Sequence, residues 1–141
     1  MDFEELASLI FRGLKSKLEA SPALAVFAKQ RKRFEGWLKV EVCEALLDHS
    51  DNLTPEDRGI DVTFDDWALE LKPVTTNYRF AGVETKTKNI TNTIADVIGD
   101  IEKLRSRSFA NKAVLFVAYP LLHDNLDWQE RSPSFQDVSE I

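Results

Sequence analysis

The chain has 141 residues and a formal net charge of −6, with 43% hydrophobic residues, 30% charged residues and a single cysteine. This composition is typical of a globular protein and excludes the disordered, collagen-like and disulfide-rich classes. The longest apolar runs are far shorter than the ~20 residues that span a bilayer, and the acidic residues 1–5 are unlike a signal peptide. We therefore expect one domain over residues 1–141, in the cytoplasm, with no membrane partner.

Two helices are predicted at the start of the chain. Asp2 and Glu5 have the spacing of a capping box, and apolar residues then recur at helical spacing. Ser21 and Pro22 are an N-cap residue followed by the residue favoured at the first helical position, so a second helix is expected up to the basic run 29–33. That run is interpreted either as a contact to a nucleic-acid backbone or as a solvated helix end.

A third helix is predicted over about residues 33–48, and it carries a carboxylate on its apolar side. At 100° per residue, Glu41 falls between Trp37 and Ala45. A carboxylate among apolar residues needs a partner, which a nearby Lys or Arg would provide. Glu35, on the flank of the same apolar side, is the other carboxylate in such a position.

Residues 48–59 are polar and aperiodic, so they are predicted to be a loop that leads to a β-hairpin. Apolar and polar residues alternate over 60–64 and over 67–71, and Asp65-Asp66 provides a turn between them. With this turn, Asp61 lies opposite Glu70. The apolar face is expected to lie against the core and carries Ile60, Val62, Phe64, Trp67, Leu69 and Leu71. The opposite face carries Asp61, Thr63, Ala68, Glu70 and Lys72.

The polar face of the hairpin brings two carboxylates together. Directly opposed Asp61 and Glu70 would have Cβ atoms ~5 Å apart, which is unfavourable unless a cation lies between them. Paired carboxylates suit Mg²⁺ or Mn²⁺, and Mg²⁺ keeps several waters that a phosphate can replace. Lys72 is placed beside them to hold an attacking water and to offset charge on a phosphate. The alternative is an exposed hairpin face with ordinary surface charges.

The charge of the chain is unevenly distributed. Residues 48–70 contain eight acidic residues and one basic residue, a net charge of −7, whereas residues 12–39 carry +6 and residues 72–112 carry +4. A bound divalent cation would partly neutralise the acidic stretch. The overall net charge disfavours a nucleic-acid partner, while the basic stretches either favour one or are solvated helix faces.

The remaining elements are predicted from Pro73 onward, which is expected to end the sheet pairing or to lie at an edge. A helix at 91–107 and a strand buried on both faces at 113–119 follow. In the tail, Trp128 and Phe135 are expected to contact the body of the protein or a second subunit. Four side chains between the hairpin and the helix are able to stack on a base or to pair with phosphate: Tyr78, Arg79, Lys86 and Lys88.

Asp61 followed by Glu70-Leu71-Lys72 resembles the D…(D/E)xK signature of the PD-(D/E)xK nucleases, the restriction-endonuclease-like superfamily. The residue before Asp61 is Ile60, whereas the signature has proline there. The resemblance implies that Asp61 and Glu70 bind a metal ion, that the backbone carbonyl of Leu71 joins its ligands, and that Lys72 assists the water.

The resemblance also implies a third carboxylate and a fold. In the family, a glutamate on the helix before the hairpin completes the metal site, and here Glu41 is the first choice and Glu35 the second. The implied fold class is α/β, with a restriction-endonuclease-like core at residues 33–120 in which helices flank a mixed central β-sheet. A helical extension at residues 1–32 precedes this core, and residues 121–141 form a C-terminal tail.

The function implied is that of a nuclease that requires Mg²⁺ or Mn²⁺ and hydrolyses phosphodiester bonds, with DNA as the expected polymer. A homodimer is expected by analogy with the family. The first alternative is a catalytically inactive domain that keeps the nuclease fold and serves as an interaction or accessory module, which the net acidity favours. The second alternative is a metal-dependent phosphohydrolase that acts on a small phosphate ester.

Overall fold

A four-stranded mixed β-sheet with helices on both faces makes up the protein, in a computed structural model that describes residues 1–77, 79–85 and 89–120. The helices are α1 (Phe3–Ala20), α2 (Pro22–Lys29), α3 (Glu35–Leu46, continued by a 3₁₀ turn at Leu47–His49) and α4 (Ile90–Arg105). The strands are β1 (Thr54–Asp57), β2 (Ile60–Phe64), β3 (Trp67–Thr75) and β4 (Asn111–Tyr119), in the spatial order β1-β2-β3-β4. The α/β class predicted from the sequence is confirmed.

The starts of the first two helices follow the predicted caps. The Asp2 side chain accepts a hydrogen bond from the Glu5 backbone N–H, and the Glu5 side chain accepts one from the Asp2 N–H, at 2.9 and 3.0 Å. Ser21 Oγ accepts from the Leu24 N–H at 3.3 Å, with Pro22 at the first helical position. Both caps satisfy backbone donors that an isolated helix start leaves unpaired.

Helix α1 packs antiparallel against α3. Gly13 lies so close to α3 that a Cβ atom there would be 3.0 Å from the Ala45 Cβ. One turn further along α1, Lys17 forms ion pairs with Glu41 and with Glu44, the second at 3.0 Å. The absence of a side chain at Gly13 therefore allows the close approach that brings Lys17 to the flank of α3.

The prediction of a loop over residues 48–59 is wrong in its second half, because residues 54–57 form β1. This strand pairs antiparallel with β2, with Pro55 opposite Val62. Its residues are polar or proline and show no alternation, so nothing in the sequence pattern marks a strand, and pairing with β2 holds it in place. As the outer strand on this side, β1 tolerates Pro55, which lacks an N–H donor.

The predicted hairpin of β2 and β3 is confirmed, together with its Asp65-Asp66 turn. Phe64 pairs with Trp67, and the register continues to Val62 opposite Leu69. The rings of Phe64 and Trp67 stack with their centroids 6.2 Å apart. The alternation of apolar residues therefore fixes the register on this part of the hairpin.

At the start of β2, the face assigned to Ile60 is wrong. Ile60 is buried, but it packs with Ala68 and Leu104 on the side of the sheet covered by α4. Val62, two residues later, packs instead with the helices on the opposite side. Strict alternation would place Ile60 and Val62 on one face, so β2 changes its orientation at Asp61, between them.

Strand β4 runs parallel to β3, and α4 is the crossover between them. Pro73 does not end β3, because it pairs with Val117 of β4. The register with β2 stops before Pro73, so within the described residues the edge of β3 opposite β4 is unpaired there and tolerates a proline.

The prediction that residues 113–119 are buried on both faces is wrong for most of the strand. Residues 112–118 are half-buried, because β4 is the outer strand of the sheet within the described residues.

The sheet separates two apolar layers. Leu6, Ile10 and Leu14 of α1 and Leu38, Val42 and Leu46 of α3 join the larger layer. Val97 of α4 is buried in the smaller layer, against Val74. The hairpin face that carries Glu70 is covered by α4, and Thr63, Ala68 and Glu70 are all buried, so this face is not an exposed surface of ordinary charges.

The basic run at residues 29–33 is divided by the burial of its central residue. The Arg31 guanidinium donates from Nε to the Glu84 carbonyl at 2.6 Å and from Nη1 to the Thr76 carbonyl. Arg31 therefore connects the end of α2 to the segment after β3. It is neither a nucleic-acid contact nor part of a solvated helix end. Lys29, Lys32 and Arg33 are exposed.

Several predictions concern residues outside the described ranges, including the contacts of Trp128 and Phe135. None of the helices within those ranges combines the length and the apolar character that a membrane span requires.

Candidate metal centre

Asp61 lies where β2 and β3 separate. The register of the two strands reaches Val62 opposite Leu69, and beyond this point Asp61 Oδ2 accepts the backbone N–H of Leu71 at 2.8 Å. A side-chain oxygen thus satisfies a main-chain donor of β3. This hydrogen bond fixes the orientation of the Asp61 carboxylate between the two strands.

The second oxygen of Asp61 is paired with α3. Lys39 Nζ is 3.0 Å from Asp61 Oδ1 and 2.9 Å from Glu56 Oε1. Burial by itself raises the pKa of Asp61, but the Leu71 N–H, a hydrogen bond with Glu70 and the charge of Lys39 together hold that pKa below its ordinary value. Asp61 is therefore ionised at neutral pH, with its charge matched by Lys39.

Glu70 is the most deeply buried carboxylate of the centre, at 6% exposed. Lys103 Nζ, from the last turn of α4, is 2.6 Å from Glu70 Oε1 and also donates to the Gly59 carbonyl at 2.8 Å. Burial raises the pKa of Glu70 to about 7. The interaction with Lys103 lowers this pKa, but the interaction with Asp61 raises it again. Near neutral pH, Glu70 exchanges a proton while Asp61 stays charged.

Asp61 and Glu70 therefore form one unit, as the opposed positions in the predicted hairpin indicate. Each carboxyl group shifts the pKa of the other, so that Glu70 holds a proton up to near neutral pH while Asp61 stays charged. Losing that proton places two adjacent negative charges in a buried site, an arrangement that a divalent cation would stabilise.

Lys72 lies on the α4 side of β3, as does Glu70. Its Nζ is 2.5 Å from Asp100 Oδ2, and both side chains are 22% exposed. Asp100 precedes Lys103 by three residues on α4, so the two share a face of the helix. Helix α4 thus places the Lys103 ammonium against Glu70 and the Asp100 carboxylate against Lys72, one helical turn apart.

The structure does not bring Glu41 to this centre. Glu41 pairs with Lys17 of α1, whereas Lys39, two residues earlier and about 200° around α3, is the residue that reaches Asp61. The interpretation of Glu41 as a glutamate paired with a basic residue is thus the one found. Glu35 precedes Lys39 by four residues, so it is on the same side of α3, and it is half-buried.

The residues predicted to contact nucleic acid are only partly described. Tyr78, Lys86 and Lys88 lie outside the described ranges. Arg79 is described and exposed.

Lys39, Asp100 and Lys103 contact the centre and were not identified from the sequence. Asp100 flanks the apolar stripe of α4 beside the buried residues Thr93 and Leu104, and this position is the signal that could have identified it. For the two lysines the sequence gives no comparable signal, because lysines at the edge of an apolar stripe usually extend into solvent.

The chemistry of the centre fits a divalent cation. Asp61 and Glu70 provide hard oxygen ligands, and their positive counter-charge comes from the ammonium groups of Lys39 and Lys103. In the described part of the chain, no group of three or more His, Cys, Asp or Glu side chains is arranged to hold a metal ion. The two carboxylates of the centre match the one or two that Mg²⁺ commonly takes from a protein while it keeps several waters.

Comparison of the chain with protein-family models, with curated proteins and with solved structures finds no match.

Proposed function

We propose that the protein is a metal-dependent nuclease with a PD-(D/E)xK-type site, in which Mg²⁺ or Mn²⁺ is held by Asp61 and Glu70. The observation that carries this proposal is the placement of two carboxylates at the opening of the hairpin, where Asp61 accepts the N–H of Leu71 and the neighbouring Glu70 is buried, with Lys72 on the same side of β3. A folded protein places two carboxylates together in a buried position at a cost in stability, so the arrangement calls for a function that uses it.

Each residue has a separate role in the proposed reaction. When bound, the cation supplies positive charge that offsets the charge developing on the phosphate. Lys72 holds the attacking water and offsets the charge of the phosphate from the other side. The water gives up a proton to the solvent and adds to phosphorus, the bond from phosphorus to the leaving oxygen breaks, and that oxygen takes up a proton from the solvent. Asp100 keeps the Lys72 ammonium in position.

We extend the proposal to the fold and to the third carboxylate. The order hairpin, crossover helix, parallel strand supports a restriction-endonuclease-like core. Glu41 pairs with Lys17, so Glu35, which shares its side of α3 with Lys39, is the helix carboxylate proposed to join Asp61 and Glu70 when the metal binds; the described residues do not hold the three as a ligand group without it. DNA is the proposed polymer, and a homodimer is proposed by analogy with the family.

A second candidate function is a catalytically inactive interaction domain that keeps this fold. It is favoured by the ion pairs of the centre, in which Asp61 and Glu70 already have Lys39 and Lys103 as counter-charges and Lys72 has Asp100. In such a protein the same residues would be a buried charge network that specifies the packing of α3 and α4 on the sheet.

Cleavage assays test the nuclease proposal. The purified chain is incubated with labelled duplex DNA, single-stranded DNA and RNA in Mg²⁺ or Mn²⁺, beside Asp61→Asn and Lys72→Ala and the exposed α1 control Lys15→Ala. We expect each site variant to lose at least ~100-fold in rate, as removal of an electrostatic group from a catalytic site does, and the control to match the natural chain. Equal cleavage by all four proteins would exclude this site.

Calorimetric titration with Mn²⁺ distinguishes the two candidate functions. A nuclease requires a metal site that Glu70→Ala abolishes, whereas an inactive domain requires none. Metal binding without cleavage of any nucleic acid would direct the next assay to small phosphate esters.

A further inference from the structure

Basic side chains from three parts of the chain meet at the end of α4. They come from the turn between β1 and β2, from the last turn of α4 and the residues after it, and from the start of β4. We call this surface the basic patch, and it consists of Arg58, Lys103, Arg105, Arg107 and Lys112. Residues 57–59 and 102–112 together contain these five cations and two acidic residues, a net charge of +3 in a chain of net charge −6.

Three contacts hold the patch together. Lys103 Nζ donates to the Gly59 carbonyl at 2.8 Å, and the Arg107 side chain also lies near Gly59. Lys112 Nζ donates to the Arg105 carbonyl at 3.2 Å. The guanidinium of Arg58 lies over the ring of Phe109, 5.4 Å from its centroid. The contacts of Lys103 with Gly59 and of Arg58 with Phe109 join segments more than 40 residues apart in sequence.

A favourable interaction with the helix dipole does not account for the whole patch. Basic residues in the last turn of a helix stabilise its C-terminus, which applies to Lys103 and Arg105. Arg58 is in a different turn of the chain, and Arg107 and Lys112 lie beyond the helix end. The Arg58 side chain is 67% exposed although it pairs with Asp57, and the aromatic ring beneath it restricts its position.

The patch adjoins the candidate metal centre through Lys103, whose Nζ is 2.6 Å from Glu70 Oε1. A polyanion on the patch would thus have its neighbouring phosphates beside the carboxylate pair. Several cations at one surface, in an otherwise acidic chain, match the repeated charge of a nucleic-acid backbone, which such surfaces bind without reading sequence.

We propose that the basic patch binds the phosphate backbone of the nucleic acid, next to the carboxylates that act on it. This inference rests on the proposed function for the choice of partner and extends it to the surface that holds the substrate. Arg58 and Arg107 contact phosphates as planar guanidinium groups and Lys112 as a point charge.

The test measures how tightly the full chain binds a fluorescein-labelled DNA duplex in EDTA. Fluorescence anisotropy gives the binding constant at several salt concentrations. The patch variant is Arg58→Gln/Arg107→Gln/Lys112→Gln, which leaves the Lys103 pair with Glu70 intact. The control variant, Arg12→Gln/Lys15→Gln/Lys17→Gln, removes the same number of charges from α1, outside the basic run at residues 29–33. Circular dichroism checks that each protein is folded, and Lys112→Glu alone replaces the patch variant if that protein fails to fold.

We expect the patch variant to bind at least ~10-fold more weakly, with the slope of log K against log salt reduced by about 2 to 3, and the control variant to bind within about twofold of the natural chain. Equal losses in both variants, or no duplex binding by the natural chain, would overturn the assignment. Tighter binding to vesicles of anionic lipid than to DNA, lost in the patch variant, would also overturn it in favour of a membrane surface. EDTA prevents metal-dependent cleavage, so this experiment measures binding alone. Failure of binding through the patch can therefore be told apart from failure of nuclease activity.

Discussion

The carboxylate of Asp61 accepts the backbone N–H of Leu71 across the opening between β2 and β3, at 2.8 Å. The residue proposed to bind the metal thereby also completes the hydrogen bonding of the strand that carries Glu70 and Lys72. Substitutions at Asp61 can therefore separate two effects. Metal binding depends on the carboxylate, whereas stability depends on whether the new side chain still accepts the hydrogen bond from Leu71.

Asp61→Ala and Asp61→Asn are expected to differ in stability. The alanine variant leaves the Leu71 N–H without an acceptor and should lower the free energy of unfolding by about 1 to 3 kcal/mol, while asparagine keeps an acceptor oxygen and should cost less. Urea denaturation at pH 7 measures both. Identical losses in the two variants would mean that the hydrogen bond to Leu71 contributes nothing.

Glu70→Gln is expected to change how stability depends on pH. Native Glu70 keeps its proton up to a pKa of about 7, whereas an unfolded glutamate loses it near 4.5, so the stability that Glu70 contributes is fully present below pH 4.5 and is lost as the pH rises to 7. The glutamine variant does not titrate there, so its free energy of unfolding should rise relative to that of the natural chain by roughly 3 kcal/mol between pH 4.5 and 7. The lowered pKa of Asp61 acts in the opposite sense, but below its ordinary value of 3.8 and outside this window.

Urea denaturation from pH 4.5 to 8 tests this prediction, with Glu19→Gln on the exposed side of α1 as the control. The control should follow the natural chain at every pH. A constant difference in stability between Glu70→Gln and the natural chain would contradict the raised pKa of Glu70.

Glu35→Gln and Glu41→Gln are expected to separate the two helix carboxylates. Glu35 shares its side of α3 with Lys39, the partner of Asp61, whereas Glu41 pairs with Lys17. We therefore expect Glu35→Gln to weaken Mn²⁺ binding at least ~10-fold, and Glu41→Gln to leave it within about twofold, as measured by calorimetry. The reverse order would restore Glu41 as the ligand that the family resemblance implies.

Gly13→Ala and Gly99→Ala are expected to have opposite effects on stability. Both glycines lie inside helices, where alanine is intrinsically favoured by about 1 kcal/mol. A Cβ at Gly13 would be 3.0 Å from the Ala45 Cβ, whereas nothing lies within 4 Å of a Cβ at Gly99. Thermal unfolding should show that Gly99→Ala stabilises by roughly 0.5 to 1 kcal/mol, and that Gly13→Ala destabilises by about 1 kcal/mol because α1 and α3 must separate.

The double variant Gly13→Ala/Ala45→Gly provides the control for the close approach. If the clash with Ala45 causes the loss, removing that methyl group should recover part of it, beyond the sum of the single effects. A stabilising Gly13→Ala would show that the two helices are not in close contact.

The elements predicted correctly are those determined by neighbours in the sequence. The capping box of α1 depends on two residues three positions apart, and the hairpin depends on alternation around Asp65-Asp66. Both patterns have a single local solution, so the sequence is sufficient to predict them. The same register predicts Asp61 opposite Glu70, but the strands separate just before this pair and Asp61 accepts the N–H of Leu71 instead.

The errors occur where a distant part of the chain determines the outcome. β1 has no strand pattern and exists because β2 lies beside it. Ile60 is apolar and buried as predicted, but the opening at Asp61 turns it toward Leu104. On α3, both Glu35 and Glu41 flank the apolar side, and only the docking of α1 assigns Glu41 to Lys17. The lysines of the centre were missed for the same reason, since their partners lie on other elements.

The crossover connection between β3 and β4 has a consequence for the order in which the centre is assembled. The turn that brings Asp61 and Glu70 together is short, whereas the pairs of Lys72 with Asp100 and of Glu70 with Lys103 join residues 28 and 33 positions apart. Closing such a long loop costs more entropy than closing the hairpin, so these pairs form later in folding. Until α4 docks, the hairpin holds its carboxylates in water without Lys103. The buried carboxylate of raised pKa therefore exists only once α4 has docked on the hairpin, and chains in which α4 is undocked lack it.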